Sequence, residues 1–381
     1  MSHENVNVED LIEKIEDWSA LPAEPMVSVT ISTYNHEKFI RQALDSVLAQ
    51  DTTYPFEIVV GEDHSTDGTR TIVCEYQRRH PEKIRLRLAR ENLFSQGIKT
   101  GINSACRGKY IAKLEGDDYW IDPHKLQKQV SILESDPGLV GVYHNAQILL
   151  DHDGGGRTYL RYVDKPVEVQ QNHLPDHDLG MEDIAAGNPI CTATVMFRNH
   201  PLFIPLHLRD RVVGGDWWIL ITLAEHGRFR YLDETMSVYR VHAGGVWSSL
   251  PNLKRAFTLF RQAMVMNEHT GDRYRKSFMV AMNRAGRQGA LALMEALEQG
   301  DQENQARARA LFDQDRIFAT AVLRKAFLDA FWGGRRVANR RLLPWVVRYC
   351  PAQLFTRPFL RCGVARLRGA APRTTPDETS P

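Results

Sequence analysis

The sequence predicts an α/β fold on a mainly parallel sheet, and two observations carry that prediction. From Val27 to His144, β-rich runs alternate with stretches whose apolar residues recur at helical spacing, the pattern of repeated βαβ units. Three of the strands so defined run into polar clusters, Ser32–Asn35, Glu62–Asp63 and Asp117–Asp118. In a parallel sheet the carboxyl ends of the strands are where ligands bind, so the clusters are expected to converge on one edge.

Taken in order, residues 1–25 read as a leader with one amphipathic piece, Leu11 to Trp18, stopped by Pro22 and Pro25. Val27–Ile31 is the first expected strand. Ile40, Ala43, Leu44, Val47 and Leu48 share one helical face within Glu37–Gln50. Phe56–Val60 is the next strand, and the turn and N-cap residues Thr66-Asp67-Gly68-Thr69 lead into a helix stopped at Pro81. Ile84–Leu88 is a third strand. A polar loop and a helix are expected within Asn92–Arg107, and Lys109–Leu114 is the fourth strand. A helix, Lys125–Glu134, and a strand, Leu139–His144, follow. Gln147–Leu150 and Thr158–Tyr162 flank the glycine-rich tip of a hairpin. Residues 163–190 read as an irregular surface loop; His173, Asp176 and His177 lack the spacing of a metal site. Cys191–Phe197 reads as a strand, Asp216–Ala224 as a helix, and Tyr231 and Met236–His242 as β-like runs. From Asn252 the texture becomes helical, in three stretches, Leu253–Met266, Arg273–Leu297 and Gln305–Phe331. The expected domains are a leader (1–25), an α/β domain (26–250), a helical region (251–333) and a basic tail (334–381).

The composition, 43% hydrophobic and 25% charged, is that of a globular protein, and no apolar run has the length that crosses a bilayer. The five scattered cysteines show no metal spacing and read as reduced thiols of a cytoplasmic protein. Charge is uneven: Arg324–Pro381 holds 12 Lys or Arg against three acids, a net +9, so with +1 overall the preceding residues carry −8. Trp345, Tyr349, Phe355 and Phe359 are interleaved with those arginines, which predicts a peripheral contact with an anionic membrane surface; no nucleic-acid signature accompanies them.

The chemistry centres on Lys113-Leu114-Glu115-Gly116-Asp117-Asp118-Tyr119-Trp120. An acidic pair at a strand end can hold a hard divalent cation on one carboxylate and a sugar hydroxyl on the other, or it can be a solvated turn. Asp216, after Gly214-Gly215, is either a helix cap or a general base. Tyr34 is either packing or a ligand contact, and Arg240 either a surface strand residue or a cation beside a diphosphate.

The runs Val27-Ser28-Val29-Thr30-Ile31-Ser32-Thr33-Tyr34-Asn35, Val59-Val60-Gly61-Glu62-Asp63-His64-Ser65-Thr66-Asp67-Gly68-Thr69 and Gly108 to Asp118, in that order, resemble the nucleotide-sugar half of the family-2 inverting glycosyltransferases of GT-A fold. The resemblance implies that Tyr34 and Asp63 hold the nucleobase, that Asp117 touches the ribose, and that Asp118 binds Mn²⁺ or Mg²⁺ on the diphosphate. Ser32 and Lys113 join the nucleotide-binding set. It implies that His242 ligates the same metal or meets the pyrophosphate, that Arg240 lies near, and that Asp216 is the base. Two departures stand out: His64 follows Glu62-Asp63 where the family has glycine, and Gly215 replaces an acidic neighbour of Asp216. The implied activity is transfer from a UDP- or dTDP-sugar to a saccharide or lipid-linked acceptor in surface-polysaccharide synthesis. Two rivals are a nucleotidyltransferase, which would show a glycine-rich, cationic phosphate loop after the first strand, and a non-catalytic glycan-binding protein.

Overall fold

The structure, a computed structural model, describes residues 8–96, 102–151, 157–161, 177–201, 215–332 and 336–350. The chain divides into two compact units, residues 1–249 and 250–381.

The first unit is built on a ten-stranded sheet. Its strands are β1 (Ile12–Ile15), β2 (Val27–Thr33), β3 (Phe56–Glu62), β4 (Ile84–Ala89), β5 (Tyr110–Glu115), β6 (Tyr119–Trp120), β7 (Leu139–Asp151), β8 (Arg157–Arg161), β9 (Met196–Arg198) and β10 (Arg228–Val241). They lie in the order β1-β4-β3-β2-β5-β9-β7-β10-β6, with β8 paired to β7. Strands β2 to β5 are mutually parallel. β9 runs against β5 and β7, and β10 runs with β7, so β7 and β10 point the same way as β5. The carboxyl ends of β2, β3, β5 and β10 therefore share one edge, as the alternation predicts.

β2 has no polar face turned to water: Val27, Val29 and Ile31 are fully buried on one side and Ser28 and Thr30 on the other. Central parallel strands are covered on both faces; α1 (Ile40–Leu48), α2 (Thr69–Arg79) and α3 (Lys125–Ser135) pack on the Val27, Val29 and Ile31 face. α1 buries Ile40, Ala43, Leu44 and Val47, the expected stripe, in the core under the sheet. Ile12–Ile15, inside the stretch read as a leader, is an antiparallel edge strand on β4. Between Asn92 and Arg107 the described residues form only 3₁₀ turns, Phe94–Gln96 and Asn103–Ala105, where a helix was expected. Cys191–Phe197 divides into a 3₁₀ turn, Thr192–Thr194, and the short β9. In the irregular stretch a short helix, α4 (Met181–Ala185), forms; His173 and Asp176 lie outside the described residues. The two runs expected around Tyr231 and Met236 are one strand, β10, with register shifts between Leu232 and Ser237.

At the opposite edge of the sheet, Glu57 is fully buried. One carboxylate oxygen accepts from the Ser28 hydroxyl at 2.7 Å and the Arg107 backbone N–H at 3.0 Å. The other accepts from Arg107 at 2.6 Å and Arg85 at 3.2 Å. Burial pushes this carboxyl up, but those donors outweigh it and hold the group below the ordinary glutamate range. A depressed carboxyl contributes stability above its unfolded pKa and loses it as pH falls through the folded one. Glu57→Ala is expected to cost about 3 kcal/mol, since it takes an acceptor from the buried Arg85 and the partly buried Arg107 and leaves the Ser28 hydroxyl without its partner. Glu57→Gln is expected to flatten the acid limb of the stability curve. Melting curves from neutral pH to pH 3 check both, and an unchanged melting temperature for Glu57→Ala would contradict the network's role.

The second unit is helical: α6 (Asn252–His269), α7 (Arg275–Gln299), α8 (Gln302–Gln314), α9 (Arg316–Trp332) and α10 (Arg336–Tyr349). The sequence reads α8 and α9 as one helix. Asp315 breaks it, its Oδ1 accepting from the backbone N–H groups of Ile317 and Phe318 at 3.0 Å, an N-cap in the middle of an otherwise helical run. α7 meets α9 through small residues: a Cβ on Gly289 would stand 2.8 Å from Val322. Phe318 packs edge-on to Phe257, Phe260 and Phe312, and Phe312 in turn to Trp345 and Tyr349. Trp345 and Tyr349, expected at a membrane interface, are thus 5% exposed core residues of this unit. Their apolar rings complete a helical core, which a basic and aromatic composition cannot distinguish from an interfacial face. Phe355 and Phe359 lie outside the described residues. Among the described residues, no helix is long and apolar enough to cross a membrane.

Candidate active site

The short strand β6 sets the geometry. It pairs antiparallel with β10, Tyr119 opposite Val238 and Trp120 opposite Ser237. Continuing that register places the acidic loop between β5 and β6 against Tyr239–His242. The Asp118 carboxylate accepts from the Arg240 backbone N–H at 2.8 Å, and the Arg240 guanidinium donates to the Asp117 carbonyl. His242, just beyond the end of β10, brings Nε2 to 3.1 Å from Asp117 Oδ2. His36 Nε2 lies 3.7 Å from the same oxygen.

These contacts separate the two aspartates. Asp118 is 1% exposed and turned into the protein, and burial together with the Asp117 charge pushes its carboxyl well above the ordinary range. Asp117 faces the two histidines. Burial pushes it up, but the His242 hydrogen bond and the His36 charge outweigh that and hold it low. The expectation that Asp118 reaches the metal and Asp117 the ribose is therefore at odds with the side-chain directions. Adjacent residues point opposite ways, and the β6 pairing makes Asp118 the inward one.

Gly116 permits the turn. A Cβ there would lie 2.6 Å from Thr33 Oγ1 and 2.8 Å from His36 Nδ1, so the loop can close on β2 only without a side chain. Glu115, the last residue of β5, is opposite Ser32 in the register. Burial pushes its carboxyl up to about 8, against the pull of Lys113 and with the repulsion of Asp216 and Asp117.

Asp216 is the first residue of α5 (Asp216–Ala224), and the cap position belongs to Gly215. The Asp216 carboxylate does not cap; Oδ2 accepts from the Thr192 hydroxyl at 3.0 Å. Tyr34, just beyond β2, is 39% exposed. Ser32 is the penultimate residue of β2, and its carbonyl accepts from the Gly116 N–H at 2.8 Å. Lys113 is 6% exposed within β5. Asp63 follows β3, with its two oxygens accepting from the backbone N–H groups of Leu93 and Phe94 at 2.9 and 3.1 Å, so it holds the loop after β4 in place. His64 and Asn35 have φ of 61° and 54°. Asn35 ties the two loops together, accepting from the Thr66 N–H at 2.8 Å and donating its own N–H to Ser65 at 3.0 Å.

Residues 28–198 match the model of Glycosyl transferase family 2. They form a family 2 glycosyltransferase domain. An uncharacterized protein of Mycobacterium tuberculosis is 35% identical over 233 residues, 61% of this chain and 63% of its own length. An uncharacterized glycosyltransferase of Nostoc sp. is 31% identical over 221 residues, 57% of this chain and 65% of its own. The chain thus spans just under two thirds of the length of these relatives. Among solved structures, S. aureus TarS 1-349 in complex with UDP-GlcNAc superposes with a TM-score of 0.51 at 15% identity, covering 92% of this chain and 94% of that one, which shows the GT-A fold.

Within the glycosyltransferase domain, sequence reasoning missed His36, Phe39, Gln42, Glu115 and Thr192. His36, Phe39 and Gln42 flank the start of α1, where the sequence signal is an amphipathic helix and nothing more. Glu115 is legible in the motif, since it lies two residues before Asp117, but the adjacent acidic pair is the stronger local signal. Thr192 reaches the site only through the turn before β9.

The residues fit a divalent cation. Asp117 Oδ2 and His242 Nε2, 3.1 Å apart, have the separation of two neighbouring ligands of an octahedral ion, about 3 Å when each bond is about 2.1 Å. Among the described residues no three His, Cys, Asp or Glu side chains surround one point. Two protein ligands are what Mg²⁺ or Mn²⁺ takes when substrate phosphates and water supply the rest.

Proposed function

We propose that the chain is a metal-dependent, inverting glycosyltransferase that moves a sugar from a nucleoside-diphosphate sugar to a saccharide or lipid-linked acceptor. The observation that carries this is the meeting of Asp117 and His242 at the joined carboxyl ends of β5 and β10, with Asp216 held by Thr192 on the turn that packs against β5. Asp117 and His242 would hold Mn²⁺ or Mg²⁺. A bound divalent ion offsets the negative charge that the leaving diphosphate gains. Tyr34 and Asp63 mark the nucleobase end of the edge, Ser32 and Glu115 its middle.

Asp216 accepts the proton of the acceptor hydroxyl while that oxygen forms its bond to the anomeric carbon. The bond from that carbon to the diphosphate oxygen breaks, and the nucleoside diphosphate leaves with the electron pair. Attack from the face opposite the leaving group inverts the anomeric centre. Thr192 orients the carboxylate through its hydroxyl, leaving the second oxygen to face the acceptor. The fit to two protein ligands favours this reading over a non-catalytic glycan-binding protein, and Ser32-Thr33-Tyr34-Asn35 at the end of β2 is no phosphate loop of a nucleotidyltransferase.

Incubating the protein with a panel of UDP-, dTDP- and GDP-sugars, with Mn²⁺, Mg²⁺ or chelator, tests the reading. Metal-dependent release of the nucleoside diphosphate from one donor class is expected. If no nucleotide stabilises the fold thermally and none is released with either metal, the proposal is wrong.

A further inference from the structure

Arg240 invites assignment as a phosphate ligand, yet its side chain is committed elsewhere. The residue is 8% exposed. Its guanidinium lies between two rings, 5.0 Å from the Phe39 centroid and 4.6 Å from that of Tyr119. It donates to the Asp117 carbonyl and to the Gln42 side-chain oxygen. Its backbone N–H is taken by Asp118. One residue thus grips α1 through Gln42, the residue before α1 through Phe39, the acidic loop through Asp117 and Asp118, and the start of β6 through Tyr119.

From this geometry we infer that Arg240 is a positioning residue that fixes the acidic loop so that Asp117 meets His242. The inference rests on the metal site proposed above. The physical need is plain. Gly116 gives the loop no side-chain anchor of its own, and the two-residue β6 is a short hold. A planar cation stacked on two rings with a forked pair of donors is a rigid clamp, whereas a lysine in the same slot has a single point charge and no plane to stack. His242 lies two residues further along the same strand direction, so the clamp that sets Asp117 is also tied to its partner. Loss of the clamp should loosen the pair without removing either ligand.

The test is Mn²⁺ binding to the full chain, followed by the electron paramagnetic resonance signal of the free ion, beside melting curves. Arg240→Met fills the slot between the rings without donors and is expected to weaken Mn²⁺ binding by about 10- to 100-fold, the range for residues that orient metal ligands, at temperatures where the variant is folded. Arg240→Lys should fall between. Gln42→Ala should weaken binding, and Gln42→Glu, which restores an acceptor for the guanidinium, should recover it. Wild-type Mn²⁺ affinity in Arg240→Met would overturn the inference. So would intact Mn²⁺ binding with lost binding of metal-free inorganic pyrophosphate, which would make Arg240 a direct phosphate ligand. A wild-type chain that binds no Mn²⁺ would overturn the metal site itself, and the positioning role with it.

Discussion

Asp216→Asn is expected to lower sugar transfer by about 10²- to 10⁴-fold, the span associated with a general base, while donor binding is unchanged. The substitution keeps the size of the side chain and an oxygen that can accept from the Thr192 hydroxyl, so the local structure survives. What disappears is a group able to take a proton from the acceptor. The competing role, a helix cap, makes the opposite prediction. A lost cap costs about 1 kcal/mol of stability and leaves chemistry alone. The cap position of α5 is already filled by Gly215 without a side-chain hydrogen bond, so stability is expected to change little. Steady-state rates and melting curves on the same preparation decide it; a lowered melting temperature with full turnover would make Asp216 structural.

The two aspartates of the acidic loop should behave differently from each other. Asp117→Asn and His242→Ala are each expected to weaken metal-dependent nucleotide binding by more than about 100-fold, beyond the effect of residues that merely orient ligands. Asp118→Ala should instead leave the Arg240 backbone N–H buried without an acceptor, at about 1–3 kcal/mol of stability, with the metal site retained. Calorimetric titration of nucleotide in the presence of Mn²⁺ separates the three. Loss of binding in Asp118→Ala with retention in Asp117→Asn would reverse the assignment.

The contrast between these neighbours shows where the sequence is informative. Local periodicity is enough to place strands at Val27–Ile31, Phe56–Val60 and Lys109–Leu114, inside or within a residue of the observed Val27–Thr33, Phe56–Glu62 and Tyr110–Glu115, and topology rules then bring their polar ends together. Their motifs also carry the family resemblance that the match over residues 28–198 bears out. Side-chain direction at the loop is another matter. It depends on pairing between Tyr119–Trp120 and Ser237–Val238, more than a hundred residues apart, and no local signal encodes that register. The same holds for Arg240, whose composition context says cation and whose packing says clamp. The burial of Trp345 and Tyr349 is not legible for a related reason: it is decided by the partners α8 and α9 bring, and a basic helix with aromatic residues reads alike in a core and at an interface.

The stereochemistry of the first-formed product tests the account most directly. With the preferred nucleotide sugar and Mn²⁺, proton nuclear magnetic resonance recorded before mutarotation reads the anomeric configuration of the released or transferred sugar. The account predicts inversion relative to the donor, abolished by chelator and by Asp216→Asn. Retained configuration, or turnover indifferent to both chelator and Asp216→Asn, would contradict it.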